Sequence, residues 1–383
     1  MQIQFITGMD QLSKDDWNRL IAPDYPFLKL EFLSGLEATG CCTPATGWHP
    51  CHAVWRESDG KIAALMPLYL KDHSWGEYVF DGGWAHAYQS HGLSYYPKLL
   101  TAIPFTPVPG PRILVAKGVD AEHCMQQWTK ALPEVLASFQ ASGWHRLFPN
   151  SRMATEGTGY LERQDCQFHW HNKDYRHFDD ILADFTSRKR KNIRKERDGI
   201  SAAGIRVTRH TGSDITTEMM ETFYQFYQNT YFIRGHRPHL NAAFFQHLLT
   251  TMADSLCLVL AIQNDTAIAG SLFFFDADHL YGRYWGALQD VPGLHFECCY
   301  YQGMDFCIER QIKTFNPGTQ GEHKISRGFE PQQTHSEHWV VDQAFYDAID
   351  RFLIQEKRSV GAYMQEAAKL LPFNQERRER DLK

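Results

Sequence analysis

None of the nine cysteines is spaced as C-x-x-C, and the odd count includes two adjacent pairs, Cys41-Cys42 and Cys298-Cys299. That pattern excludes a complete disulfide framework and the usual zinc and thiol redox motifs. The chain also lacks an excess of positive charge. With a formal net charge of -6 it has no global attraction for nucleic acid or acidic lipid, so any contact with a polyanion must be local. No segment approaches the roughly twenty apolar residues of a membrane span. The stretch MQIQFITGMDQLSKDDW lacks the basic region and apolar core of a secretory leader. These absences predict a reduced, cytoplasmic protein without integral membrane association.

What is present is a folded composition. Hydrophobic residues make up 43%, aromatics 14% and charged residues 22% of 383 residues, enough apolar surface for more than one core and no case for disorder. Residues Trp17 to Leu36 have helix-like apolar spacing broken by Pro23 and Pro26. Cys51 to Glu57 and Ile62 to Leu70 read as strands joined by Ser58-Asp59-Gly60. Tyr78 to Arg112, rich in Gly, Pro and aromatics, reads as an ordered but irregular region. The apolar positions Met125, Trp128, Leu132, Val135, Leu136 and Phe139 predict one helix face over Asp120 to Gln140, with a strand at Trp144 to Phe148.

A strand at Gln167 to Tyr175 is followed by a helical region from Phe178 to about Ala203, within which seven of the ten residues Arg188 to Arg197 are Lys or Arg. Then come a strand at Ile205 to Thr208, helices at Thr217 to Tyr231 and Ala242 to Met252, and strands at Leu256 to Gln263 and Ala267 to Phe275. A helical tail runs from Ala344 and ends in the charged QERRERDLK. The element order recurs approximately in the two halves, without a residue-by-residue repeat.

Chemistry concentrates between Leu280 and Phe329. Leu280 to Leu288 reads as an aromatic strand, Pro292-Gly293 as a turn, Phe296 to Gln311 as a helix and Lys313 to Asn316 as a short strand before a charged loop. Arg283, His295, Glu297, Glu322, His323, Lys324 and Arg327 then lie near the ends of adjacent elements. Glu297, near a helix start among aromatics, is a candidate base toward an ammonium group; a carboxylate there also stabilises the helix by itself. Lys324 with Arg327 can grip a phosphate or carboxylate while Glu322 or His323 moves a proton, unless the four form a structural ion-pair network. Arg283 alternates with Tyr281 and Trp285 on one strand face, suited to an anionic or planar ligand; Tyr284 and His295 join them as candidate binding residues. In the basic helix, Lys189, Arg190, Lys191 and Arg194 are candidate phosphate or RNA contacts, against the plainer alternative of a solvated face. His169-Trp170-His171 and His295-x-Glu297 prompt a metal hypothesis, but no third ligand stands at a telling spacing and no metal is expected. The cysteines read as packing residues.

Four segments carry a resemblance that spans most of the chain: YYPKLLTAIPFTPVPGPR at 95–112, QFHWHNKDY with the following SRKRKNIRKERDGI, LYGRYWGALQDVPGLHFECCYYQG, and GTQGEHKISRGFEP at 318–331. With these the chain resembles the FemAB-like proteins of the GNAT acyltransferase superfamily, associated with peptidoglycan biosynthesis. The resemblance implies an α/β (α+β) chain of tandem GNAT-like domains, each a mixed, curved sheet flanked by helices. The expected blocks are an N-terminal domain at 1–150 without a complete site, a strand and basic helical connector at 151–204, a C-terminal domain with the site at 205–343 and a helical tail at 344–383. It also implies an N-acyltransferase in which a primary amine attacks an activated acyl carbonyl without a covalent enzyme intermediate. The co-substrate is acyl-CoA, the superfamily norm, or aminoacyl-tRNA, the Fem-type norm. The acceptor is an amine-bearing small molecule, a peptide or a cell-wall precursor, with tRNA as a further partner. One departure bears on the donor: DVPGLHFECC keeps Gly293 and a helix start but not the full pyrophosphate loop of acetyl-CoA-binding domains. The alternative is a non-catalytic binding protein that uses the same scaffold to recognise a cell-wall precursor or RNA.

Overall fold

The structure, a computed structural model, describes residues 1–21, 24–153, 159–319 and 321–381. Pro23, Gln320 and the last two residues of the charged tail, all used above, lie outside the described residues. The chain forms two compact units, Met1–Asp165 with Gln333–Gly361, and Cys166–Gln332 with Ala362–Lys383. The linear blocks expected at 150, 204 and 343 do not coincide with these units, because the chain returns to the first unit after building the second.

The first unit begins with β1 (Gln2–Ile6), β2 (Leu20–Ile21), β3 (Trp48–Pro50), β4 (His52–Arg56), β5 (Ile62–Met66) and β6 (Tyr69–Lys71). The region read as irregular, Tyr78 to Arg112, instead contains helix α1 (Gly82–Ser90) and strand β7 (Lys98–Thr101). All four residues of β7 are buried, so packing on both faces selects a strand where prolines and glycines on either side obscure any period. Strand β8 (Leu114–Ala116), helix α2 (Ala121–Phe139) and strand β9 (Gly143–Leu147) complete this pass. Asp120 caps α2 by accepting from the Glu122 amide, and its apolar stripe from Cys124 to Leu136 packs on Trp55, Leu99 and Trp144. The strands form one sheet in the order β1-β4-β5-β8-β2 and a run β9-β7-β6-β3.

Strand β10 (Leu161–His171) leads into the second unit, where the helical region splits at Phe185-Thr186 into α3 (Phe178–Asp184) and the basic helix α4 (Ser187–Ala202). There follow β11 (Ile205–Thr211), α5 (Thr217–Phe232), α6 (Ala242–Met252), β12 (Leu256–Gln263), β13 (Thr266–Phe275) and β14 (His279–Ala287). Thr216 and Asn241 cap α5 and α6 through the Met219 and Phe244 amides. The predicted helix from Phe296 is a short turn at Leu294–Phe296, a π-helical turn at Glu297–Tyr301 and α7 (Gln302–Arg310) in series, before β15 (Thr314–Asn316). Strand β16 (Glu330–Val340) returns to the first unit, pairing antiparallel with β9, and helix α8 (Gln343–Lys369) follows.

In the second unit the strands run β11-β12-β13-β14-β15-β10, antiparallel except for β14 with β15. That parallel pairing covers only His279↔Thr314, Leu280↔Phe315 and Tyr281↔Asn316. Beyond Tyr281 the edge of β14 facing β15 is open, although its other edge stays paired to β13 as far as Ala287. Helix α5 lies directly on β14: a Cβ on Gly286 would fall 2.0 Å from the Phe226 carbonyl oxygen, so only glycine permits this approach.

Candidate active site

The open edge of β14 is where the polar side chains gather. Register between β13 and β14 shifts so that Leu272 faces Tyr284 and Phe273 faces Gly282, which leaves Arg283 as the extra residue of a β-bulge. The bulge breaks the alternation expected from the sequence, so Tyr281, Arg283 and Trp285 are not one simple stripe. Tyr281 donates to Asp276 at 2.8 Å. Tyr284 packs against Tyr227 and Phe245 at ring distances of 5.4 and 5.5 Å, in the aromatic core under α5 and α6, with the Arg283 guanidinium 5.9 Å from its ring. Trp285 meets His295 edge-on at 5.3 Å.

Across the gap stands the loop after β15. Gly318 and Gly321 have φ of +100° and +109°, and a Cβ on Gly321 would lie 2.2 Å from the His323 ring, so this turn requires glycine. The helical turn Glu322–Arg327 then buries Lys324 and Arg327 and exposes Glu322 and His323. Lys324 is 1% exposed and donates to the Gly318 carbonyl at 2.6 Å. Burial pulls its ammonium from the usual lysine value down to about 7, and the Arg283 charge adds to that drop against an opposing contribution from Cys299. Burial, helped by the charges of His323, Lys324 and Arg327, holds His295 at about 4, so its imidazole is neutral near pH 7. His323 is lowered too, first by burial and then by Lys324 and Arg327.

The π-helical turn connects these groups. Its extra residue per turn presents Tyr300 and Tyr301 as two hydroxyls reaching different partners. The Tyr300 hydroxyl lies 2.7 Å from His323 Nε2. The Tyr301 hydroxyl donates to Glu196 and accepts from Arg327 Nε at 2.9 Å. Arg327 also grips both oxygens of Glu196 at 2.8 and 2.9 Å and lies 3.4 Å over the Phe296 ring.

Glu297 is 5% exposed, and its oxygens are taken by a two-point pair with Arg197, at 3.1 Å each, and by Gln302 Nε2 at 2.7 Å. Arg197 also pairs with Asp305 at 2.8 Å. These bonds make Glu297 part of a clamp between the π turn and the basic helix. Glu322 is exposed and accepts from Tyr363 at 3.0 Å.

The basic helix is therefore two-faced. Its inner side carries Ile193 and Ile200 into the core and Glu196 and Arg197 into the two clamps. Its outer side borders an open trough of about 690 Å³ lined by Arg190, Lys191, Arg194 and Lys195 among others. Lys189, named from the sequence, is not on that lining, whereas Lys195 is. Arg194 pairs with Asp179 at 3.0 Å on the exposed surface. Among the described residues no group of three His, Cys, Asp or Glu side chains is placed to hold a metal ion. Buried His169, held at about 3 by burial first, bonds Gln167 at 3.3 Å in the core.

The structure brings Trp285, His295, His323, Lys324, Arg327 and Arg283 near one another, together with Tyr300, Tyr301, Glu196 and Arg197, which the sequence did not single out. The doubled aromatics of CCYY beside two acid-base pairs in the basic helix were the available signal.

Residues 8–375 match the model of the FemAB-like family, described as peptidoglycan biosynthesis/recognition. No curated protein sequence matches the chain. Among solved structures it is similar to FemX, at 13% identity over 91% of this chain and 100% of that one, with a TM-score of 0.50. It is also similar to the C-terminal domain of a putative lysylphosphatidylglycerol synthetase from Agrobacterium fabrum, at 9% identity over 84% and 97%, with a TM-score of 0.52. A tandem GNAT protein from the clavulanic acid biosynthesis pathway matches at 10% identity over 89% and 98%, with a TM-score of 0.45. Likeness at such identity speaks to fold, and the family match over nearly the whole chain speaks to descent: the chain belongs to the FemAB-like family and is a transferase of that family.

Proposed function

We propose that this transferase is an N-acyltransferase in which a primary amine attacks the carbonyl of an activated acyl or aminoacyl group directly. The observation that carries the reading is the setting of Lys324: an amine 1% exposed beside the open edge of β14, bonded to the Gly318 carbonyl and close enough to Arg283 and His295 to act on their charges, with burial lowering its ammonium to about 7. The incoming amine must lose a proton as its nitrogen bonds the carbonyl carbon, and a lysine near pH 7 is matched to that task. Lys324 takes the proton, the carbonyl oxygen becomes an oxyanion beside Arg283, and collapse breaks the bond from the acyl carbon to the CoA sulfur or the tRNA ribose oxygen, which takes the proton back from Lys324 as it leaves. The Tyr300–His323 pair offers a neutral relay at the rim. Glu297 is assigned to positioning, because using it as a base would break its pairing with Arg197.

Two features favour an aminoacyl-tRNA donor, the incomplete pyrophosphate loop at DVPGLHF and the cationic trough on α4. An amine on a peptide or cell-wall precursor is the acceptor in keeping with the family. The test is native mass spectrometry of the protein mixed separately with acetyl-CoA, longer acyl-CoAs and bulk charged tRNA, followed by transfer assays on amine-bearing muropeptides. A complex with one donor and an amide product support the reading and identify the donor. Binding of a muropeptide with no transfer from any donor would replace it by recognition without catalysis.

A further inference from the structure

At the C-terminal end of β14 the second unit exposes a cluster of a different character. Phe232 and Ile233 end helix α5 at 57% and 76% exposure, and Leu288, just after β14, is 55% exposed. Arg234 and Arg237 follow in the same exposed segment. Large apolar side chains held in water beside cations are not the outcome of an unstructured loop here. Gly235, at φ +74°, closes the helix, with its amide bonded to the Phe232 carbonyl at 3.0 Å and the His236 amide to the Tyr231 carbonyl at 3.1 Å. Further on, the Leu240 amide reaches the Tyr227 hydroxyl at 3.4 Å.

This tip is tied to the site strand. Asn229 Nδ2 donates to the Ala287 carbonyl at 2.7 Å and the Thr230 hydroxyl to the Trp285 carbonyl at 3.0 Å. The end of α5 therefore cannot move without the end of β14, where Trp285 meets His295. The segment from Phe232 to Leu240 carries Arg234, His236, Arg237 and His239 and no carboxylate, while Asp265 and Asp290 lie on the turns at the neighbouring end of the β13–β14 pair, and the whole chain carries -6.

We propose that Phe232, Ile233 and Leu288, with Arg234 and Arg237 in the exposed segment that follows, dock unit 2 on an anionic lipid surface, so that acceptors reach the open edge of β14 from a bilayer. Apolar side chains entering the acyl boundary beside arginines at the level of lipid phosphates is the arrangement that such an interface rewards, and neither part suffices alone. A soluble polyanion would have no use for the exposed apolar tips. The use of the surface rests on the acyl-transfer reading, but its existence does not.

The experiment is co-sedimentation of the full chain with phosphatidylcholine vesicles, with and without phosphatidylglycerol, in the absence of acyl donor. Binding is expected only to the anionic vesicles and is expected to weaken with salt. The pair Phe232→Ser with Ile233→Ser, and separately Arg234→Glu with Arg237→Glu, are each expected to lower it at least about tenfold while the unfolding temperature stays put, since all four side chains are exposed. The proposal is overturned by equal binding to neutral vesicles, by no binding at all, by pelleting without vesicles, or by indifference to both double substitutions. Loss of binding on Lys191→Glu with Arg194→Glu in place of the tip substitutions would likewise overturn it and move the lipid contact to α4. Because no donor is present, failure here leaves the transfer chemistry intact, and failure of transfer leaves the surface intact.

Discussion

A lysine buried to 1% exposure with a backbone carbonyl as its hydrogen-bond partner sits where its charge is expensive, and the pKa of about 7 for Lys324 expresses that cost. Two consequences follow from the sign of the shift. As a base, Lys324 works only when neutral, so kcat/KM should rise as pH increases through about 7 and level off above it. As a stability term, the unfolded chain binds this proton more tightly than the folded one. Stability is therefore lost as pH falls from the ordinary lysine range toward about 7, and no further loss from this group occurs below. Lys324→Met should reduce turnover about a hundredfold or more, abolish the pH step and leave the unfolding temperature at pH 7 equal or higher. A variant that keeps wild-type turnover and pH profile would remove Lys324 from the chemistry. Glu297 makes the opposite forecast. Glu297→Gln should keep turnover within about tenfold, since Gln can retain part of the contact with Arg197, whereas a base would lose several orders of magnitude.

At the scale of elements, α4 is held to the site by two clamps that depend on different residues. Arg197→Met would leave Glu297 and Asp305 without their guanidinium, and should destabilise the second unit by about 3 kcal/mol, read as a shifted urea midpoint. Changes on the outer face should do something else: Lys191→Glu with Lys195→Glu should leave the urea midpoint within about 0.5 kcal/mol and weaken tRNA binding, with a shallower salt dependence. Equal tRNA affinity in that variant would return the charge run to a solvated face. The existence of α4 and its cationic outer side was legible in the sequence, because helical period and charge density are properties of adjacent residues. Its clamps were not, since Arg197 meets Glu297 100 residues away and Glu196 meets Arg327 131 residues away. The π turn was missed for a related reason: it adds one residue to a helix whose apolar period otherwise reads as continuous from Phe296 to Gln311.

Across the whole molecule, polar groups are buried in both units, and each unit manages them separately. In the first, Lys98 is fully buried and donates to Glu77 at 2.7 Å, to Ser74 at 2.8 Å and to Asp81, which also accepts from Tyr95 at 2.7 Å. Lys98→Met would strand two carboxylates in the interior, and a loss of about 3–5 kcal/mol of stability for this unit is expected in denaturant unfolding. A smaller loss in Lys98→Met combined with Glu77→Gln and Asp81→Asn would confirm that the stranded charges are the cause. That β7 carries Lys98 at all was hidden in the sequence, within a run of prolines and glycines where no period shows.

The sequence by itself determined the strand, turn and helix order around Leu280 to Phe329, the glycine turn that presents Lys324 and Arg327, the density of charge on α4 and the family. These depend on residues within a few positions of one another, which period, turn chemistry and motif report directly. Tertiary structure alone decided that Glu297 is clamped, that Tyr284 belongs to the aromatic core, that Arg283 stands at a β-bulge, and that burial brings the Lys324 ammonium down to about 7. Those outcomes depend on desolvation and on partners supplied by distant parts of the chain, and no spacing along the sequence encodes either.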